Sequence, residues 1–351
     1  MTKEKNPKEK NIVKEKKLNK KVNKLSNDEV SKPKNLSYKS SFNRLTKTIA
    51  LLLFLTVIVV SYFSYIRYRI IAQRLENEVA ISANQVEGVF VDYANISEML
   101  LLHLNHNLIK NDVLRINSRI AEVLTVFNED TQVINSLGNN LIAGAMFYWI
   151  DSKNYLIASS NGLVSKAINL SSRDYLTKTK DSPKKLQVGS PVIGALSGQS
   201  IVPMALGVVN KEGNFSGTVV LSLRLDNFLH RFRNLKERNI EFAIADDKNQ
   251  IIMSSSEELF RKNSQLLVNP ILNEQGNLLE SYSLFNLSRP ILFAKKVENQ
   301  PYAVITAMRA KNAYNVVVKE MLPTIIEISL IIIFLIIIKM FYRIILFSTK
   351  K

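Results

Sequence analysis

The feature that most constrains this chain is a pair of apolar blocks set near its two ends. The first, Thr48–Ile66, reads TIALLLFLTVIVVSYFSYI and carries no charge over 19 residues, close to the roughly 20 needed to cross a hydrocarbon core. Arg44 and Lys47 precede it, Arg67 and Arg69 follow it, and Tyr62, Phe63 and Tyr65 cluster at one end, as suits the headgroup region. The stretch is longer than a usual leader core and no small-x-small site follows, so it reads as a signal anchor. The second block, Leu322–Ile338, extends past Lys339 through further apolar residues to 346. Pro323 fits a helix start or a hinge. Glu327 reads as a carboxylate that reaches the interface or is protonated.

Charge gives the orientation. The formal charge of +17 divides into +10 over residues 1–47, +4 over 339–351 and +3 over everything between. Basic residues therefore sit beside the apolar blocks, which argues against a nucleic-acid partner and places both termini in the cytoplasm. The organisation expected is a basic disordered tail (1–46), a first span (47–66), an extracytoplasmic region (67–321), a second span (322–346) and a short basic end (347–351). The tail is Lys-rich and poor in large apolar residues, a composition that stays unfolded and associates with anionic lipid. The chain has no cysteine, which excludes disulfides and thiolate metal sites.

Within the outer region, Ile71, Leu75, Val79, Ala83, Val86, Phe90, Tyr93, Ile96, Leu100 and Leu104 recur at intervals of three and four. That spacing predicts a helix running with little interruption over 70–127, within a helical stalk at 67–140. His103 and His106 share a face of it but lack an acidic cluster, so no metal is assigned. From about 141 the pattern changes to strand–turn–strand. Four hairpins are predicted, around the turns at Asp151–Asn154, Lys211–Asn214, Asp246–Asn249 and Glu298–Pro301. Aligning Ile150-DSKNYLIASS with Ala245-DDKNQIIMSS matches six of eleven positions at an offset of 95 residues. A repeat of this length predicts two similar α+β modules in tandem, at 141–226 and 227–310.

A long helix, two such modules and a return helix resemble the double Cache (dCache) family of extracytoplasmic bacterial sensors. Three segments carry the resemblance: Asn169-LSSRDYL, Val188-GSPVIGALSGQSIVPMAL and Gly213-NFSGTVVLSLRLDNF. They are similar to that family's Ser-x-Arg-Asp-Tyr-Phe, Gly-x-Pro-Val…Ser-Gly…Ile-Pro and Gly-x-Phe-x-Gly-Val-Val segments. The resemblance implies an α+β fold of two tandem PAS-like modules with antiparallel sheets, flanked by two transmembrane helices. It also implies a ligand in the first, membrane-distal module. Arg173 and Tyr175 fall where amino-acid-binding members hold a carboxylate, Asp174 lies between them, and Phe147 and Trp149 are expected to supply an apolar wall. A guanidinium suits the task because it offers a bidentate fork.

The departures narrow the ligand. Amino-acid-binding members have Tyr-x-Asp where this chain has Val192-Ile-Gly194, and a further acid where it has Ser222. A buried ammonium needs such counter-charges, so an amino acid is disfavoured and a small carboxylate, another anion or a polar metabolite is expected. No catalytic carboxylate pair, Ser/His/Asp set or cofactor motif is read, and no cofactor is expected. Family members usually continue into a kinase, cyclase or methyl-accepting domain, and no such segment is read here. The expectation is a non-enzymatic sensor in the inner membrane, homodimeric, acting through a separate cytoplasmic partner. The alternatives are the input half of a split histidine kinase or diguanylate cyclase, and a ligand-free tether.

Overall fold

A computed structural model of the chain describes residues 35–136, 142–248, 250–262, 276–281 and 288–348. In the first half the elements are α1 (Asn35–Lys110), α2 (Asn117–Ser136), β1 (Met146–Asp151), β2 (Tyr155–Ser159), β3 (Gly162–Asn169), α3 (Asp174–Asp181), β4 (Gln187–Val188), β5 (Val192–Ile193), β6 (Ser200–Val209) and β7 (Phe215–Arg224). Then follow α4 (Leu225–His230), α5 (Arg233–Glu237), β8 (Ile240–Asp246), β9 (Ile251–Ser254), α6 (Glu257–Lys262), β10 (Asn277–Glu280), β11 (Ile291–Lys296), β12 (Tyr302–Met308) and α7 (Ala310–Ser348).

Two compact units divide the chain: residues 1–67 with 323–351, and residues 68–322. The first unit holds the beginning of α1 and the end of α7. Each of these two helices contains an 18-residue apolar window, of mean hydropathy 2.4 and 2.8, with none of the window buried. Both are long and apolar enough to cross a membrane. Arg67 donates a hydrogen bond to the Thr324 hydroxyl within this unit. Of the expected basic tail, residues 1–34 lie outside the described residues, while 35–46 are helical.

The second unit is organised by the remainder of α1. Leu75, Val79, Val86, Phe90, Leu101, Leu104 and Leu108 are all essentially inaccessible and belong to one continuous core. The helix expected to run on to 127 is broken at 111–116, where Asp112 takes a positive φ of 53°. A short polar side chain tolerates that left-handed conformation, and α2 starts afresh at Asn117.

Two antiparallel sheets pack on this core. The first has the order β3-β2-β1-β7-β6-β4, with β5 also on β6; the second has the order β10-β11-β12-β8-β9. Stripped of their edge strands they are the same object: hairpin, central pairing of first with last long strand, hairpin. The repeat extends to side chains. Asp151 Oδ1 accepts the amides of Lys153 (2.9 Å) and Tyr155 (2.8 Å), and Asp246 Oδ1 accepts those of Lys248 (3.0 Å) and Gln250 (2.9 Å). Ser160 pairs with the Phe147 backbone as Ser255 pairs with that of Phe242. An Asx turn of this kind closes a hairpin locally, without help from the core.

Among the described residues, two polar contacts tie the modules to each other. Lys178 Nζ on α3 reaches Asp246 Oδ2 at 3.1 Å, and the Val188 amide donates to the Tyr302 hydroxyl at 3.0 Å. Burial pushes the Tyr302 phenol up to about 12, so it remains neutral. At the end of the second module Arg309, between β12 and α7, holds Glu241 (3.1 Å), Glu258 (3.3 Å) and the Ser256 hydroxyl (3.0 Å).

Candidate functional site

Successive residues of a strand point to opposite faces of its sheet, and β1 divides accordingly. Phe147 and Trp149 face the α1–α2 side and lie in the main core, where the Phe147 ring meets that of Phe127 at 5.2 Å. Tyr148 and Ile150 face the other way, into a second apolar cluster with Leu156, Leu170, Tyr175, Leu176, Ala205 and Val220. That second face is where α3 lies, and there a cavity of about 30 Å³ opens. The expected wall of Phe147 and Trp149 is therefore corrected to Tyr148 and Ile150. Helix α2 claims the other face by packing on β1, a choice that alternation along β1 alone does not reveal.

Arg173 and Tyr175 both line the cavity. Arg173 is the residue at which α3 begins, in extended conformation (φ −84°, ψ 118°), with its amide bonded to the Leu170 carbonyl at 2.9 Å. One guanidinium nitrogen donates to the Ile193 carbonyl at 3.2 Å, which ties Arg173 to a second lining residue. Tyr175 is 4 % exposed, and its burial pushes the phenol up to about 12, partly offset by the Arg173 charge. Asp174 does not line the cavity; its carboxylate is exposed, 4.0 Å from Lys178.

The remaining wall comes from β5 and the turn after it, Val192–Leu196, together with Ile201 and Val220. The turn is held by the Gly194 amide on the Gln199 carbonyl (2.8 Å) and the Gly198 amide on the Gly194 carbonyl (2.9 Å). Val192 and Gly194, where counter-charges for an ammonium were sought, do face the cavity and bring no acid. Ser222 spends its hydroxyl on the Met146 carbonyl at 3.2 Å and bonds the Tyr148 phenol, which burial also pushes upward. Arg173 is the one charged side chain among the cavity-lining residues described.

Gly189 makes room for Tyr175. A Cβ there would lie 2.7 Å from both Tyr175 Cδ1 and Pro203 Cγ, well inside van der Waals contact. Gly189→Ala is expected to cost about 1–3 kcal/mol by overpacking, and the displaced Tyr175 ring narrows the cavity. Thermal unfolding reads the first effect and ligand titration the second.

His103 and His106 are exposed on α1; the His103 ring lies against Phe127 at 5.6 Å. Among the described residues no group of three or more potential metal ligands converges.

No family model matches the chain, and no curated protein does. Among solved structures it is similar to the ligand-binding domain of the Pseudomonas fluorescens chemoreceptor CtaA in complex with L-alanine, at 13% identity and TM-score 0.47, covering 68% of this chain and 99% of that one. It is similar to the sensor domain of the V. cholerae histidine kinase DctB at 19% identity and TM-score 0.41, covering 68% of this chain and 98% of that one. It is also similar to an extracellular ligand binding receptor from Desulfohalobium retbaense, at 11% identity and TM-score 0.43. There 66% of this chain is covered, and it spans 39% of that receptor.

Proposed function

We propose that this chain is a dCache-type sensor of the bacterial inner membrane, with its two-module unit outside and both termini in the cytoplasm. In this reading the first module binds a small anionic molecule, and a separate cytoplasmic partner answers the signal. The observation that carries it is Arg173: a lone cation in the lining of a small, otherwise uncharged cavity, with a neutral phenol beside it. The segment that resembles the family's ligand-binding helix is the one that lines the cavity. The two exposed apolar helices and the clustering of basic residues at both ends support the membrane assignment. The reading includes a homodimer, although the apolar stripe of α1 expected to carry the pairing is spent in this unit's own core.

The test is a thermal-shift screen of metabolites on the full chain in nanodiscs, run beside Arg173→Ala. At a hundredfold excess over Kd a ligand adds ~2.7 kcal/mol, or roughly 5–10 °C for a unit of this size. At least one small anion is expected to give such a shift in the wild type and to lose it in Arg173→Ala. A shift that persists in the variant sinks the site, and a screen without any shift sinks the sensor reading.

A further inference from the structure

We infer that the cavity beneath Arg173 takes a short unbranched monocarboxylate and rejects both amino acids and dicarboxylates. The inference rests on the sensor reading above and narrows it to one ligand class.

Size sets the first limit. The cavity measures about 30 Å³, and a single water needs about 10–15 Å³ on the same scale. There is room for about two or three water-sized groups, the size of a carboxylate group itself, so a tail of one or two carbons is the most that can follow it.

Charge sets the second. Arg173 gives one N–H to the Ile193 carbonyl and keeps the rest of its fork for a ligand, enough for one carboxylate. A second carboxylate would meet only the apolar side of the cavity, among them Ile150, Leu156 and Val220. An unpaired ion in such surroundings costs several kcal/mol. An α-ammonium fares no better, because no acidic residue lines the cavity. The nearby carboxylates are engaged elsewhere: Asp174 is turned to Lys178, and Asp151 holds its own turn amides. The Tyr148 and Tyr175 phenols complete the polar inventory of the lining, and both stay protonated through neutral pH. Tyr148 gives its proton to Met146 Sδ at 3.6 Å, which leaves Tyr175 as the phenol that can offer an O–H to an anion, and neither phenol carries a charge that would balance a cation.

The test titrates the full chain in nanodiscs with acetate, propionate, succinate, L-alanine and nitrate at constant ionic strength, followed by calorimetry and melting temperature. Acetate and propionate are expected to bind, with succinate and L-alanine weaker by about a hundredfold or more, since each leaves a buried ion unpaired. Arg173→Leu is expected to lose roughly 10–100-fold in propionate affinity, as when a hydrogen-bonded charge is removed. Tyr175→Phe keeps the fold and loses about tenfold or less. Succinate or L-alanine binding through Arg173 overturns the ligand class and leaves the sensor reading standing. Nitrate binding as tightly as propionate also overturns the class, since the carbon tail then counts for nothing. If none of these five compounds and no metabolite of the wider screen binds, both readings fall.

Discussion

Phe147→Ala is expected to lower stability by about 3–5 kcal/mol and to leave ligand affinity in the first module nearly unchanged. The Phe147 side chain is fully buried in the core shared by α1, α2 and both sheets. It stands edge-on to Phe127 at 5.2 Å. Removing it leaves a void that a helix and a sheet, each held along its length, fill only in part. For a unit of this size the melting temperature is expected to fall by roughly 6–20 °C. The surface that lines the cavity lies on the opposite side of the same strand and keeps its atoms. A well-folded Phe147→Ala protein that no longer binds the ligand would return this residue to the cavity wall.

The second large effect belongs to Asp246. Its carboxylate is 4 % exposed, closes a turn through one oxygen and meets Lys178 through the other. Asp246→Ala removes all of this at once. A loss of about 3 kcal/mol is expected, at the low end for breaking a buried pair, because Lys178 is itself about a third exposed. Its counterpart Asp151 holds the same turn amides without the ion pair. Asp151→Ala is therefore expected to cost only about 1 kcal/mol. Denaturant unfolding of the two variants separates the bridge from the turn. A double-mutant cycle with Lys178→Met is expected to return a coupling of roughly 1–2 kcal/mol. Equal losses in the two alanine variants would mean that the bridge contributes nothing.

The four main hairpins were legible in the sequence because three carry an Asx-type turn of their own and the fourth turns through Asn299, at a positive φ of 57°. Asp151, Asn210 and Asp246 bond amides two and four residues ahead, and interactions this local leave a mark in the letters. Edge strands β3 and β10 carry no such mark, since their pairing depends on a neighbour already in place. The break after Lys110 was missed because Asn111 and Asp112 interrupt an apolar stripe that resumes beyond them. Arg173 and Tyr175 were singled out through a segment that resembles a known one, and both line the cavity of the proposed site. Phe147 and Trp149, expected as an apolar wall, lie in the main core and do not line this cavity. Alternation along β1 separates its residues into two sets, and only the packing of α2 decides which set faces the helices.

The central pairing of each sheet has a kinetic side. β1 pairs with β7, and β8 with β12, so each sheet joins its earliest long strand to its latest. Such distant pairing is slow to nucleate. The two sheets are nonetheless separable in time, because strands β1–β7 precede residue 225 while β12 ends only at Met308. A chain delivered N-terminus first can close its first sheet before the second has all its strands, as domains tend to do during synthesis. The Lys178–Asp246 bridge would then form late, as the step that docks a finished module onto its successor.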